Sequence, residues 1–244
     1  MNAPNIGSIE IGKTPRVIGT ISTMSTLEHH EFCTSPPCHI AEVRLDQIGV
    51  ESPWLEHCRA IEDAGIPVLA TLRLAEEGGG WEGEDQQRLP HLQKALEHLS
   101  AVDVEAASSI RHDVAALAAE AGKPVIVSYH NFQETPALEQ LEEILRDIRQ
   151  TEAPVVPKIA TMLRDDTDMH RLCRFLGDHR KDLLCISGMG ERGIRTRVVF
   201  PCLGSCLTYG FLDDSVAPGQ LSAQYLAATL QTLLPRHNTR FSCA

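Results

Sequence analysis

Two residues of the chain have the chemistry and the surroundings of a covalent catalyst. Lys158 is the only charged residue in the apolar run 155–160, and His130 ends a second such run, 125–130, about 28 residues earlier. Burial among β-branched side chains disfavours the charged form of an amine, and a nearby histidine can move protons. The pattern indicates an imine-forming lysine with a histidine proton shuttle. The simpler alternative is a lysine whose stem is buried and whose ammonium reaches water.

The segments that carry these residues belong to an alternation of strands and helices along the chain. Runs rich in apolar or β-branched residues predict eight strands, at 17–21, 40–45, 67–72, 101–105, 124–129, 155–161, 183–187 and 198–203. Apolar residues at i, i+3 and i+4 predict helices at 53–64, 85–99, 110–121, 137–150, 168–180 and 222–234. This alternation is typical of parallel β/α units.

Eight such units predict an α/β fold, a (β/α)₈ TIM barrel formed by a single domain over residues 1–244. Residues 6–11 are predicted to form a short N-terminal strand or hairpin that closes the bottom of the barrel. The first connection, 23–38, is short and poorly helical. An open doubly wound sheet is the main alternative.

Ionisable residues follow several of the predicted strands, where barrel enzymes place their sites. Glu42, Arg44 and Asp46 alternate along the second strand, so they are expected to point to one face. The remaining strand-end residues are Arg73, Asp103, Glu105, His130 and Lys158. Charges inside a barrel require partners or a ligand. A Glu–Arg pair that only fills the barrel is the structural alternative.

Other motifs point to weaker hypotheses. Gly188, Gly190 and Gly193 match G-x-G-x-x-G, but residues 194–201 read as loop and strand where a dinucleotide site needs a helix. The glycine loop 78–80 follows two glutamates, which disfavour phosphate, so it is expected to be a lid or a surface turn. Eight cysteines, at 33, 38, 58, 173, 185, 202, 206 and 243, lack zinc-site spacing, and we expect reduced thiols and no metal.

Composition restricts the partners of the protein. The net charge of −11 argues against nucleic acid and anionic membranes, although a few arginines could still bind an anionic substrate. Apolar stretches stay shorter than the roughly 20 residues that span a bilayer, and the N-terminal residues lack a signal-peptide core. We therefore expect a cytoplasmic protein.

Seven motifs occur in a specific order and spacing between Arg16 and Leu230. They are Glu-Val-Arg-Leu-Asp at 42–46, Thr-Leu-Arg at 71–73 with Glu-Gly-Gly at 77–79, Asp-Val-Glu at 103–105, Ser-Tyr-His-Asn-Phe at 128–132 with Thr-Pro at 135–136, Pro-Lys-Ile-Ala at 157–160, Met-Gly at 189–190 with Gly193 and Arg197, and Ala-Pro-Gly-Gln at 217–220. In this combination the chain resembles type I 3-dehydroquinate dehydratase, the Schiff-base enzyme of the shikimate pathway.

The resemblance implies a reaction and a set of roles. The reaction is the syn elimination of water from 3-dehydroquinate to give 3-dehydroshikimate, with no metal or organic cofactor. Lys158 would form the imine with the C3 ketone, His130 would be the general acid and base, and Glu77 would orient His130. The implied substrate-binding residues are Thr20, Glu42, Arg44, Arg73, Met189, Arg197 and Gln220. Arg197 and Gln220 would bind the carboxylate of the substrate. The family is often dimeric, so a homodimer is implied.

The sequence departs from the family pattern at a few positions. Val216 stands where a serine usually precedes Ala-Pro-Gly-Gln, and Ser215 could take over its hydroxyl. Asn131 replaces an aspartate, while Thr196 and Thr20 replace serines. None of these changes removes the lysine, the histidine or Arg197.

Two alternative functions remain at the level of sequence. A class I aldolase would share the imine lysine, and a barrel that binds a shikimate-type acid would need no catalysis. Retention of Lys158 together with His130 favours the dehydratase over the binding protein.

Overall fold

The computed structural model describes residues 4–12, 14–29, 37–213 and 221–234. Eight parallel strands form one sheet, in the order β8-β1-β2-β3-β4-β5-β6-β7. The strands are β1 (Arg16–Ile21), β2 (Ile40–Arg44), β3 (Val68–Thr71), β4 (Ala101–Glu105), β5 (Val125–Asn131), β6 (Val155–Met162), β7 (Cys185–Met189) and β8 (Leu207–Phe211). The predicted TIM barrel is confirmed.

Helices connect the strands on the outside of the barrel. They are α1 (Met24–His29), α2 (Leu45–Ile48), α3 (Trp54–Asp63), α4 (Leu89–His98), α5 (Arg111–Glu120), α6 (Leu138–Arg149), α7 (Asp166–Asp178), α8 (Thr196–Leu203) and α9 (Ala223–Leu233), with 3₁₀ turns at Ala75–Glu77, Asp85–Arg88 and Glu191–Arg195. Leu141, Leu145 and Ile148 of α6 are buried at the spacing of one helix face. Each of the six predicted helices therefore exists, with ends shifted by a few residues.

The seam between β7 and β8 is closed by a mixture of backbone and side-chain hydrogen bonds. The Cys206 amide donates to the Leu184 carbonyl at 2.9 Å. The Ser205 hydroxyl accepts from the Ile186 amide at 3.0 Å and donates to the Leu207 carbonyl at 3.0 Å. Ser205 thus satisfies the polar groups at the point where the first and last parts of the sheet meet.

The prediction of a strand at 198–203 was wrong. These residues lie in α8, and the eighth strand is Leu207–Phe211. A strand at 198 would leave too few residues after β7 for the crossover that two parallel strands require. The β-branched residues Val198 and Val199 therefore occupy a helix against their local preference.

An N-terminal hairpin, Asn5–Ile6 with Ile9–Glu10, covers the bottom of the barrel. Ile6 and Ile11 are fully buried against an apolar inner layer. That layer consists of Ile18, Ile40, Leu69, Ala101, Ile126, Val156, Cys185 and Leu207. The predicted closure of the barrel bottom is confirmed in its hairpin form.

The next inward layer is polar. Inward-facing residues recur every second position along a strand, so each strand contributes again two residues further on. This polar layer consists of Thr20, Glu42, Thr71, Asp103, Ser128, Lys158, Ser187 and Tyr209. The fold therefore places a ring of reactive and hydrogen-bonding groups directly above an apolar floor, at the C-terminal ends of the strands.

Candidate active site

A cavity of about 690 Å³ opens above the polar layer. Nine of the ten predicted site residues line it: Thr20, Glu42, Arg44, Arg73, Glu77, His130, Lys158, Met189 and Arg197. The tenth, Gln220, lies outside the described residues. These nine side chains come from five of the eight strands, from the connection after β3 and from the first turn of α8.

Lys158 is buried in β6, with 7% of its surface exposed. Its Nζ donates to Asp103 Oδ2 at 3.1 Å and lies 4.4 Å from the centre of the Tyr209 ring. The ammonium therefore does not reach water along an extended stem. The alternative of a strand-end lysine with a solvated head group does not describe this residue.

Asp103 is the fully buried carboxylate that connects the cations of the site. It accepts hydrogen bonds from Ser128 at 2.6 Å and Arg73 at 2.8 Å, in addition to Lys158. Burial alone would raise the pKa of Asp103, but the charges of Arg73 and Lys158 and these hydrogen bonds bring it below the ordinary value. Asp103 is therefore ionised and neutralises part of the positive charge around the amine.

His130 extends β5 into the cavity and is held by Glu77. Its Nδ1 lies 2.8 Å from Glu77 Oε2, and its ring stacks against Phe132 with centroids 6.3 Å apart. Burial, followed by the charges of Arg73 and Lys158, lowers the pKa of His130 well below 6.5. A neutral ring that donates Nδ1–H to an ionised Glu77 keeps its Nε2 lone pair as a proton acceptor.

The pKa of Glu77 is shifted in the opposite direction, upwards. Burial raises its pKa to about 7, Arg73 opposes this shift, and the carboxylates Glu105 and Asp103 reinforce it. Ionisation of Glu77 near neutral pH therefore controls which nitrogen of His130 carries the proton. The two groups titrate as a coupled pair.

Arg73 is held by carboxylates on the neighbouring strand. Its guanidinium contacts Ser128 at 2.7 Å, Asp103 at 2.8 Å and Glu105 at 3.1 Å. Arg88 in turn donates to Glu105 at 2.7 Å and is fully buried. Paired burial of this kind fixes the guanidinium plane at the edge of the cavity.

Two acidic residues from β2 and α2 organise the adjacent part of the cavity wall. Glu42 accepts from Thr20 at 2.8 Å and from Thr71 at 2.9 Å. Asp46 holds Arg44 in a bidentate pair at 3.0 and 2.8 Å, and hydrogen bonding to Arg44 lowers the pKa of Asp46 against the effect of burial. The hypothesis of a Glu42–Arg44 pair that only fills the barrel is wrong, because Arg44 pairs with Asp46.

Arg197 supplies a cation without an acidic partner among the described residues. It lies in the first turn of α8, and its Nη1 is 3.4 Å from the Ser187 hydroxyl. Burial lowers the pKa of Arg197, so its charge is incompletely compensated by the protein. A partly buried guanidinium with no carboxylate partner in the described ranges is suited to a carboxylate ligand.

Two of the family departures have a structural explanation. Asn131 Oδ1 accepts from the amides of Gln133 and Glu134, both at 2.9 Å, a role that needs only an acceptor oxygen. Thr196 keeps the hydroxyl of a serine and uses it to join Gly193 to Gly188. Val216 and Ser215 lie outside the described residues.

The glycine motif at 188–193 has a different context from the one predicted. A 3₁₀ turn and α8 follow it, so the expected loop and strand were wrong. A Cβ at Gly193 would lie 2.4 Å from the Gly188 carbonyl, which explains that glycine by close backbone packing. The turn belongs to the seventh β/α unit of the barrel, whereas a dinucleotide fingerprint opens a doubly wound sheet.

Sequence reasoning missed several members of the polar layer. Ser128 and Ser187 were not singled out, and Asp103 was noted without its contact to Lys158. The available signal was the two-residue period above the apolar layer. Tyr209 was missed because the eighth strand was assigned to residues that form α8.

Metal sites and membrane-spanning helices are absent from the part of the chain that the structure describes. Within the four described ranges, no His, Cys, Asp and Glu side chains are grouped to hold a metal ion. The helices of those ranges are too short or too polar to cross a lipid bilayer.

The fold and cavity define a (β/α)₈ barrel protein with a lysine, a histidine and a glutamate at one site. The family model for type I 3-dehydroquinase matches residues 17–235. The 3-dehydroquinate dehydratase of Methanosarcina barkeri is 32% identical over 241 residues, covering 94% of this chain and 99% of that protein. The corresponding protein of Methanothermobacter thermautotrophicus is 36% identical over 197 residues, 80% of this chain and 86% of its own.

A solved structure gives the same result. Type I 3-dehydroquinate dehydratase from Clostridium difficile, with covalently modified comenic acid, has a TM-score of 0.82 and 25% identity over 97% of this chain and 98% of that one. The chain belongs to the type I 3-dehydroquinase family.

Proposed function

We propose that the protein dehydrates 3-dehydroquinate to 3-dehydroshikimate through an imine on Lys158. The observation that carries this proposal is the buried Lys158 amine in the same cavity as a His130–Glu77 pair. Membership of the type I 3-dehydroquinase family supports the same reaction.

The first stage is formation of the imine. After Lys158 has lost its proton, the amine attacks the C3 ketone, and loss of water leaves an iminium that accepts electrons from the neighbouring carbon. Because the iminium supplies this electron sink, the proposed chemistry requires neither a metal nor an organic cofactor.

The second stage is the syn elimination. His130 Nε2 removes the C2 proton, and the electron pair of that C–H bond moves into the iminium to give an enamine. The enamine then expels the C1 hydroxyl, which receives a proton from His130 and leaves as water. Hydrolysis of the conjugated iminium releases 3-dehydroshikimate and restores Lys158.

The remaining cavity residues are proposed to bind the substrate. Glu42, Arg44 and Arg73 are suited to ring hydroxyls, together with Thr20, because they supply both acceptors and donors. Arg197, with Gln220, would take the carboxylate, and the unpaired guanidinium supports this role. Met189 would pack against the ring.

Two alternatives are disfavoured by the family relationship. An aldolase would cleave a carbon–carbon bond at the same imine, and a binding protein would have no use for the His130–Glu77 pair. We further propose a single domain over residues 1–244, supported by the unbroken series of β/α units, and a cytoplasmic location. The proposed homodimer rests on the family resemblance.

The test is addition of 3-dehydroquinate with ultraviolet detection of the conjugated enone. The natural protein should form the enone, Lys158→Ala should not, and the exposed control Lys181→Ala should behave as the natural protein. Carbon–carbon cleavage would support the aldolase instead. Binding without turnover by the natural protein would reject the proposed function.

A further inference from the structure

The Tyr209 hydroxyl is an exception within the polar layer. It is buried, and no described residue is placed to hydrogen-bond with it. The other seven side chains of the layer are engaged: Thr20 and Thr71 with Glu42, Asp103 with Ser128 and Lys158, and Ser187 with Arg197. A buried polar group without a partner is uncommon in native proteins and requires an explanation.

Tyr209 is also placed beside the reacting group. Its ring lies under the Lys158 amine, with 4.4 Å between Nζ and the ring centre, and the residue lines the same cavity. Burial, reinforced by Cys185, Glu42 and Asp103, raises the pKa of Tyr209 well above 10. The phenol therefore keeps its proton and is a hydrogen-bond donor at any working pH.

The other donors around Lys158 already have partners. Arg73 contacts Asp103, Glu105 and Ser128, and the Ser128 hydroxyl donates to Asp103. A neutral His130 uses Nδ1–H on Glu77 and presents a lone pair at Nε2. Arg197 and the Ser187 hydroxyl keep donor capacity at the cavity, but Arg197 is assigned to the carboxylate and Ser187 already accepts from Arg197. The Tyr209 hydroxyl is the donor beside the amine that makes no hydrogen bond with any described residue.

Attack by Lys158 creates a need for such a donor. The Nζ lone pair forms a bond to C3, the π pair of the ketone moves onto the oxygen, and a proton then passes from nitrogen to that oxygen to give the carbinolamine. Negative charge develops on the oxygen during this step, and preorganised donors stabilise such charge most strongly in a water-poor site.

We propose that Tyr209 is a further catalytic residue, whose hydroxyl donates a hydrogen bond to the ketone oxygen of the substrate while Lys158 attacks. This role rests on the proposed function. The lack of a partner among the described residues is then the resting state of a group that acquires its acceptor when substrate binds.

Tyr209→Phe tests this role because it keeps the ring beneath Lys158 and removes one oxygen atom. Protein is mixed with 3-dehydroquinate and quenched with borohydride at increasing times to follow adduct formation. We expect the rate to fall roughly 10- to 100-fold, the range for loss of one hydrogen-bond donor to a developing oxyanion. The melting temperature should stay unchanged or rise, because the lost hydroxyl makes no hydrogen bond with any of the described residues.

The matched control is Tyr129→Phe. The Tyr129 hydroxyl accepts a hydrogen bond from Asn131 at 3.3 Å, and Tyr129 does not line the cavity. This variant should form the adduct at the natural rate. An unchanged rate in Tyr209→Phe, or a slower rate accompanied by a lower melting temperature, would overturn the role of the hydroxyl. Absence of any adduct in the natural protein would overturn the proposed function and this inference with it.

Discussion

Asp103 determines the electrostatics of the site at the scale of single residues. One fully buried carboxylate contacts both Arg73 and Lys158, which lie 30 and 55 residues away in sequence. Charges packed at this density persist only when each is paired, because an isolated buried ion loses several kcal/mol of solvation. The reactive amine is thus part of a network that also fixes a substrate-binding arginine.

Removal of this charge should destabilise the whole barrel. We expect Asp103→Asn to lower the free energy of unfolding by about 3–5 kcal/mol, because Arg73 and Lys158 would remain buried with less compensation. Denaturant titration measures the change. The control Asp147→Asn breaks the pair with Arg111 on a half-exposed side chain and should cost about 1 kcal/mol or less. Equal effects of the two changes would contradict the role assigned to Asp103.

Glu77 should make stability depend on pH. Its folded pKa of about 7 lies above its ordinary value of 4.5, so the folded state binds the proton more tightly and loses stability as pH rises from 4.5 to 7. The loss amounts to about 3 kcal/mol above pH 7. Glu77→Gln removes this pH-dependent loss of stability. The variant should therefore melt at a higher temperature than the natural protein at pH 8, but not at pH 4.5. A difference that is independent of pH would show that burial does not perturb this carboxyl.

His130 should be dispensable for imine formation and necessary for the elimination. His130→Ala leaves the Lys158 amine in place and removes the proton shuttle. Turnover should fall by about 10²–10⁴-fold, while a borohydride-trappable adduct still accumulates slowly. Enone formation and adduct mass are measured on the same samples. Turnover close to that of the natural protein would refute the role of His130.

At the scale of elements, the connection after β3 brings Glu77 to His130. Its backbone is tied to Asp46, which accepts from the amides of Arg73 at 3.2 Å and Gly80 at 2.9 Å. Gly78 has a φ of +75° and faces the Phe132 ring, and a Cβ at Gly79 would lie 2.1 Å from the Arg73 carbonyl. The glycines that resembled a lid or a surface turn are therefore required by close packing.

Gly79→Ala should displace this connection and reduce activity. The methyl group cannot fit against the Arg73 backbone, so Glu77 should move away from His130 and kcat should fall by at least about 10-fold. The matched control is Gly177→Ala in α7, where the added Cβ meets no atom within 4 Å and helix propensity favours alanine. If Gly79→Ala kept full kcat, the loop would not hold Glu77 in place.

Individual elements show where sequence reasoning succeeds and where it fails. Helix α6 was predictable because one apolar face follows the helical period and nothing competes with it. Helix α8 was not, since the run at 198–200 has strand-like residues and is overridden by the crossover that β7 and β8 require. Because of that error the last strand was predicted at the wrong residues, and Tyr209 was not recognised as a residue of the site.

At the scale of the whole molecule, the site follows from layering inside one barrel. The apolar inner layer and the hairpin residues Ile6 and Ile11 exclude water from below, and the polar layer above faces the cavity. Strand ends in a barrel converge, so Arg73, His130 and Lys158 could be placed together from the strand pattern. Thr20, Glu77, Met189 and Arg197 were predicted only from the family resemblance. The ion-pair partners could not be predicted from the sequence, because the pairs of Arg44 with Asp46 and of Lys158 with Asp103 depend on three-dimensional contacts.

The proposed reaction depends on an imine between Lys158 and the substrate. Borohydride added with 3-dehydroquinate should reduce that imine to a stable adduct, and peptide mass spectrometry can assign it because the chain has only five lysines, at 13, 94, 123, 158 and 181. We predict modification of the peptide that contains Lys158 and loss of enone formation in proportion to it. An adduct on another lysine, or no adduct during turnover, would contradict the imine mechanism.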